Sequence, residues 1–185
     1  MEENVYAPPK AVLADVGSVR NNLAVRFFAV SPVKLVVLST CTFGLYQIYW
    51  FYKNWVLIRE HSEPDITPWA RAFFGIFWCY NCFEFIRNDE RQLDLEPTLP
   101  AGPLAVGWIA ASLTWRLPEM YSLIGFLAPL LLIPAQRHVN RINGLVAPDH
   151  DANTRFSAWN WLAVAAGGIF IALIALGLAR TRHAL

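Results

Sequence analysis

Charge is what this chain lacks most. Of its 185 residues only 16% are charged, while 56% are hydrophobic and 14% aromatic. Ordinary soluble domains are about a quarter charged. The mean hydropathy of +0.35 points the same way. Such a composition excludes intrinsic disorder, which needs low hydrophobicity and high net charge. The 15 Lys and Arg against 14 Asp and Glu leave no basic excess for phosphodiester backbones, so no nucleic-acid partner is expected. Three cysteines make no even disulfide framework. The four histidines, His61, His138, His150 and His183, stand at no metal-ligand spacing, and no cofactor motif is present.

What is there is apolar sequence in blocks. Five runs are free of Asp, Glu, Lys and Arg: 35–52, 72–83, 97–115, 120–136 and 156–179. A bilayer-crossing helix takes about 20 apolar residues. The runs therefore predict an all-α integral membrane protein, a bundle of four to five transmembrane helices. The third and fourth runs, joined through Arg116, Pro118 and Glu119, are expected to form a short helical hairpin, with kinks at Pro129 and Pro134. Ser31-Pro32 and Thr67-Pro68 are expected helix starts, the hydroxyl capping and the proline taking the first turn. Residues 1–30 form a polar lead without a cleavable signal pattern, 31–180 the membrane domain and 181–185 a short tail. Lys and Arg near the run ends place the N-terminus in the cytoplasm whether the first run spans or lies in the interface. The expected location is a plasma or inner membrane, crossed several times. The aromatic cluster Tyr46, Tyr49, Trp50, Phe51, Tyr52 and Trp55 reads as an interfacial belt.

Four groups of residues carry candidate chemistry. Glu84, Arg116 and Glu119 are the charges closest to the apolar runs, candidates for the bundle interior or a pore. Glu84 has Arg87 three residues on, so a helix-surface ion pair is the competing reading. Arg137, Asn140 and Arg141 share one helical face. With Arg155 and Asn160 they form a candidate interfacial site for an anion or a lipid head group. Cys79 and Cys82 make a C-x-x-C motif, which in a thioredoxin-like setting is a redox pair. Small residues in the last run, Ala163, Gly167, Gly168 and Ala172, suit close helix packing.

The motif Ser31-Pro-x-Lys34-Leu35 with Thr42-Phe-Gly44-x-Tyr46-x-x-Tyr49-Trp50-Phe51-Tyr52-Lys53-Asn54-Trp55 resembles a family of small bacterial polytopic inner-membrane proteins of uncharacterised function. Asn140-Arg-Ile-Asn143 and Arg155-Phe-Ser-x-Trp159-Asn160 resemble the closing part of the same proteins, and Tyr6-Ala-Pro-Pro-Lys10 their lead. The resemblance implies an all-helical membrane protein and no activity, cofactor or catalytic residue. The leading functional expectation is a non-enzymatic transport, channel or partner-binding subunit. Its expected partners are the lipid bilayer, an anionic lipid, a second copy or a membrane protein. The alternative is a thiol–disulfide or quinone-linked oxidoreductase using Cys79 and Cys82.

Overall fold

The computed structural model describes residues 25–117 and 119–183, without the side chains of 119, 120, 122, 175 and 177–183. The motif at residues 6–10, the tail at 184–185 and the side chains of Glu119, Arg180 and Arg182 thus lie outside the described residues. All regular elements described are helical. They are α1 (Pro32–Cys41), α2 (Leu45–His61), α3 (Pro68–Phe73), α4 (Gly75–Gln92), α5 (Ala101–Leu113), two 3-10 segments (Thr114–Arg116 and Glu119–Leu127), α6 (Ala128–Leu131), α7 (Ile133–Val146) and α8 (Ala158–His183).

The helix starts follow local chemistry. Ser31 caps α1, its Oγ accepting from Lys34 N–H at 3.2 Å, with Pro32 in the first turn. Pro68 likewise opens α3, but the Thr67 hydroxyl makes no capping bond. Between α1 and α2 the chain takes positive φ at Phe43 (52°) and Gly44 (90°). Only glycine adopts the second angle without strain. The Thr42 hydroxyl ties the two helices, donating to Leu38 O at 2.7 Å and accepting from Tyr46 N–H at 3.0 Å.

These breaks overturn the integral-membrane reading. Among the described residues no helix is long and apolar enough to cross a membrane. The first run is cut at Thr42–Gly44, and the second at Phe74, between α3 and α4. The third yields only the 13-residue α5, about 20 Å long at 1.5 Å per residue. The fourth runs as 3-10 turns into α6 and α7, because Pro129 and Pro134 withhold helical hydrogen bonds; they break the helix rather than bend it. The fifth lies in α8, whose first turn carries Trp159, Asn160 and Trp161. The transmembrane bundle, the multi-pass inner-membrane location and the cytoplasmic N-terminus argued from it are corrected accordingly. Where a membrane hairpin of two spans was expected, the short α5 packs on the second 3-10 segment and on α6.

The aromatic cluster is also not a belt. Trp50, Phe51, Trp55 and Ile58 lie on one face of α2 and are fully buried, while Tyr49 and Tyr52 face out. A 3.6-residue period divides the cluster between core and surface. The core is completed by Cys79, Cys82, Phe83 and Ile86 of α4, Trp108 of α5, Leu132 between α6 and α7, and Ala135, Val139 and Ile142 of α7. Phe51 makes edge-on contacts at 5.0 Å with both Trp50 and Trp108. Two of the indole N–H groups find amide oxygens, Trp108 Nε1 donating to Gln47 Oε1 at 2.7 Å and Trp50 Nε1 to Gln136 Oε1, while the buried Trp55 Nε1 meets no acceptor among the described residues. Truncating a buried Trp or Phe of this kind typically costs roughly 3–5 kcal/mol.

α8 stands apart from this core. It packs on α1, where Gly167 lies so close to Cys41 that a Cβ would fall 1.9 Å from the Cys41 carbonyl oxygen. Elsewhere it leaves Trp159, Trp161, Leu162, Ile169, Phe170 and Leu173 exposed.

Candidate functional site

The polar interior is built around residues 26–30, an irregular segment with bends at Arg26 and Phe27, between α2, α7 and the 147–157 loop. Four consecutive carbonyls are each taken by a different side-chain amide. Asn143 Nδ2 donates to Phe27 O at 2.7 Å, Gln136 Nε2 to Phe28 O at 3.2 Å, Asn153 Nδ2 to Ala29 O at 3.1 Å and Asn140 Nδ2 to Val30 O at 3.0 Å. The amide N–H groups of residues 26–28 are met as well. Asn143 Oδ1 accepts from Arg26 at 3.0 Å and Phe27 at 3.2 Å, and Asn54 Oδ1 accepts from Phe28 at 3.1 Å. Buried main-chain groups must be paired, and here side chains replace the ladder that a neighbouring strand would supply.

This strap leads into α1 and delivers Lys34. Lys34 is 4% exposed. Its Nζ donates to Asn153 Oδ1 and to Arg155 O, both at 2.7 Å. With the Asn160 amide turned so that its oxygen faces the ammonium, a third acceptor stands at 3.1 Å. The Phe156 ring centre lies 5.9 Å away. Burial lowers the Lys34 pKa, and the field of Asp151 opposes that shift. Beside the ammonium opens a cavity of about 450 Å³, lined by Lys34, Tyr46, Tyr49, Arg155, Ser157 and Asn160, with Phe28 and Asn153. The Tyr46 and Tyr49 rings stand 5.6 Å apart. Burial, with the neighbouring Tyr49 second, pushes the Tyr46 phenol up to about 12. Arg155 is exposed, and among the described residues it forms no ion pair. The lining is rich in donors and holds no carboxylate.

A second polar pocket, about 150 Å³, lies where Arg26 meets α4. Arg26 pairs with Asp89 at 2.5 Å, and the next residue, the fully buried Glu90, pairs with His138. Burial raises the Asp89 pKa, against the pull of Arg26. One oxygen of each carboxylate has no hydrogen-bond partner.

The sequence candidates separate in space. Arg155 and Asn160 line the large cavity together. Arg137 and Arg141 are exposed on α7 and do not join them, and Asn140 turns inward to the strap. Glu84 is partly exposed and paired with Arg87; the Tyr80 hydroxyl, and after it Arg87, hold its carboxyl below the ordinary range. Arg116 is exposed on a 3-10 turn, and the side chain of Glu119 is outside the described set. Cys79 and Cys82 are fully buried free thiols. Burial pushes Cys79 up to about 11 and Cys82 higher still, so neither supplies a thiolate at neutral pH.

The residues that sequence reasoning missed are Lys34, Tyr46 and Tyr49 in the cavity and Asn54, Gln136 and Asn153 along the strap. Asn54 and Gln136 carried a usable signal, an isolated amide inside an aromatic or apolar stretch. Lys34 carried none, because a basic residue at a run end is equally an interfacial anchor. Comparison with family models, with curated proteins and with solved structures finds no match for this chain.

Proposed function

We propose that this chain is a non-enzymatic binding module for an anionic amphiphile such as a charged lipid. The head lies in the Lys34–Arg155 cavity and the apolar part lies along α8. What supports the reading is one juxtaposition. A donor-lined cavity holding two cationic side chains opens at Asn160, in the first turn of α8, and the helix exposes Trp161, Leu162, Ile169 and Leu173. A buried cation without a paired carboxylate is unfavourable on its own and favours an anion beside it. Exposed apolar surface of this extent marks a binding face. The candidate nucleophiles are enclosed thiols, so binding fits the site better than catalysis.

The test is co-sedimentation with vesicles of phosphatidylcholine, with and without an anionic lipid. Binding is expected only to the anionic vesicles, weakened by salt and lost in Arg155→Glu. Equal binding to neutral vesicles, or none to either, overturns the reading. A stable dimer formed without lipid and broken by Leu162→Lys would assign the α8 face to a second copy instead.

A further inference from the structure

The cavity's donor set narrows the chemistry of the head. Lys34 spends its protons on Asn153 Oδ1, Arg155 O and the Asn160 oxygen, so it serves as a fixed positive charge in the wall. The groups left to donate are the Arg155 guanidinium, the hydroxyls of Tyr46, Tyr49 and Ser157, and the Asn160 NH2 once its oxygen faces the ammonium. The carboxylate nearest in effect, Asp151, accepts from Asn153 N–H at 2.8 Å and is not part of the lining.

A planar carboxylate brings one charge and two acceptor oxygens to these donors. A phosphate monoester brings close to two charges near neutral pH and three terminal oxygens. The guanidinium fork engages two oxygens of either head, so what separates them is the third phosphate oxygen, for which phenol and serine hydroxyls remain. Two cationic side chains also match a doubly charged head better than a singly charged one. Resting on the anionic-amphiphile reading above, we infer that the Lys34–Arg155 cavity selects a phosphate monoester head over a carboxylate, with Tyr46 and Tyr49 as the selecting residues and Arg155 engaging either head.

Titration calorimetry with four probes tests this: a monoacylglycerol phosphate, a fatty acid and a neutral monoacylglycerol of equal chain length, and inorganic phosphate. The phosphate-headed amphiphile is expected to bind about tenfold or more tighter than the fatty acid, a difference of about 1.4 kcal/mol. Tyr46→Phe/Tyr49→Phe, checked for native helix content by circular dichroism, is expected to narrow that gap, and Arg155→Lys to weaken both anionic amphiphiles. Equal affinity for the two anionic amphiphiles overturns the phosphate inference and leaves the anionic reading standing. Affinity no better than that of the neutral monoacylglycerol overturns both. Inorganic phosphate binding as tightly as the amphiphile keeps the phosphate inference and removes the role given to α8.

Discussion

The side-chain amide of Asn143 grips the main chain of Phe27 at both ends: its Oδ1 accepts from Phe27 N–H at 3.2 Å and its Nδ2 donates to Phe27 O at 2.7 Å. The pair are 116 residues apart in sequence. Both groups are buried, so removing the amide leaves them unmet at roughly 1–3 kcal/mol each, and the part-buried Arg26 N–H loses the same acceptor. Asn143→Ala is therefore expected to lower the unfolding free energy by about 2–4 kcal/mol. Urea denaturation measures it. A change within ~0.5 kcal/mol, the range of ordinary surface substitutions, would show that the strap is not held this way.

Gly167 and Gly168 are neighbours with opposite expectations. A Cβ at Gly167 collides with the Cys41 main chain, whereas one at Gly168 meets nothing within 4 Å. Gly167→Ala is expected to prise α8 from α1 and lower the melting temperature. Gly168→Ala should be neutral or stabilising by up to about 1 kcal/mol, since alanine favours helix. Equal melting temperatures for the two variants would contradict the packing of α8 on α1.

Tyr46 sets an alkaline limit. Its folded pKa is about 12, against 10.0 for the free phenol. A folded value raised in this way favours the protonated form in the native state. Its contribution is complete below pH 10 and is lost as pH climbs toward 12. Tyr46→Phe is expected to flatten this part of the stability–pH curve. Titration of tyrosinate absorbance gives an independent check, and a Tyr46 ionising with the exposed tyrosines would contradict its burial.

Thiol labelling separates the cysteines. In the native protein only the partly exposed Cys41 is expected to react quickly with an aromatic disulfide reagent, because Cys79 and Cys82 are enclosed. The double variant Cys79→Ala/Cys82→Ala should lose about 1–3 kcal/mol of stability from lost packing while amphiphile binding is unchanged. Rapid native labelling of Cys79 or Cys82 would return the motif to redox chemistry.

The α4–strap contact has its own pH signature. Burial raises the Asp89 pKa above 3.8 despite Arg26. For an acid whose folded pKa is raised, stability is gained as pH falls through the folded value and levels off below the unfolded one. Wild type is thus expected to resist mild acid better than Asp89→Asn, which cannot take up that proton. Parallel stability–pH curves for the two would rule this out.

How much of this was legible in the sequence differs by level. The helical class, the start of α1 at Ser31-Pro32 and the pairing of Glu84 with Arg87 follow from short-range rules, which at Pro129 and Pro134 predicted kinks where the helix in fact breaks. Such rules act over one or two turns. Arg155 and Asn160 were legible as polar residues beside an apolar helix, but their company was not.

The amino-acid sequence by itself determined that this chain is helical, poor in charge and rich in apolar blocks, because composition and local periodicity act residue by residue. It did not determine where the blocks go. An aromatic run reads alike as a belt or as a core, and only the packing of α2 against α4, α5 and α7 placed Trp50, Phe51 and Trp55 inside. Tertiary structure also decided that Asn140 leaves Arg137 and Arg141 to join the strap, and that Lys34 meets residues 153–160. A buried amide or ammonium must find its partner wherever the chain brings one, and no local pattern encodes a contact more than a hundred residues away.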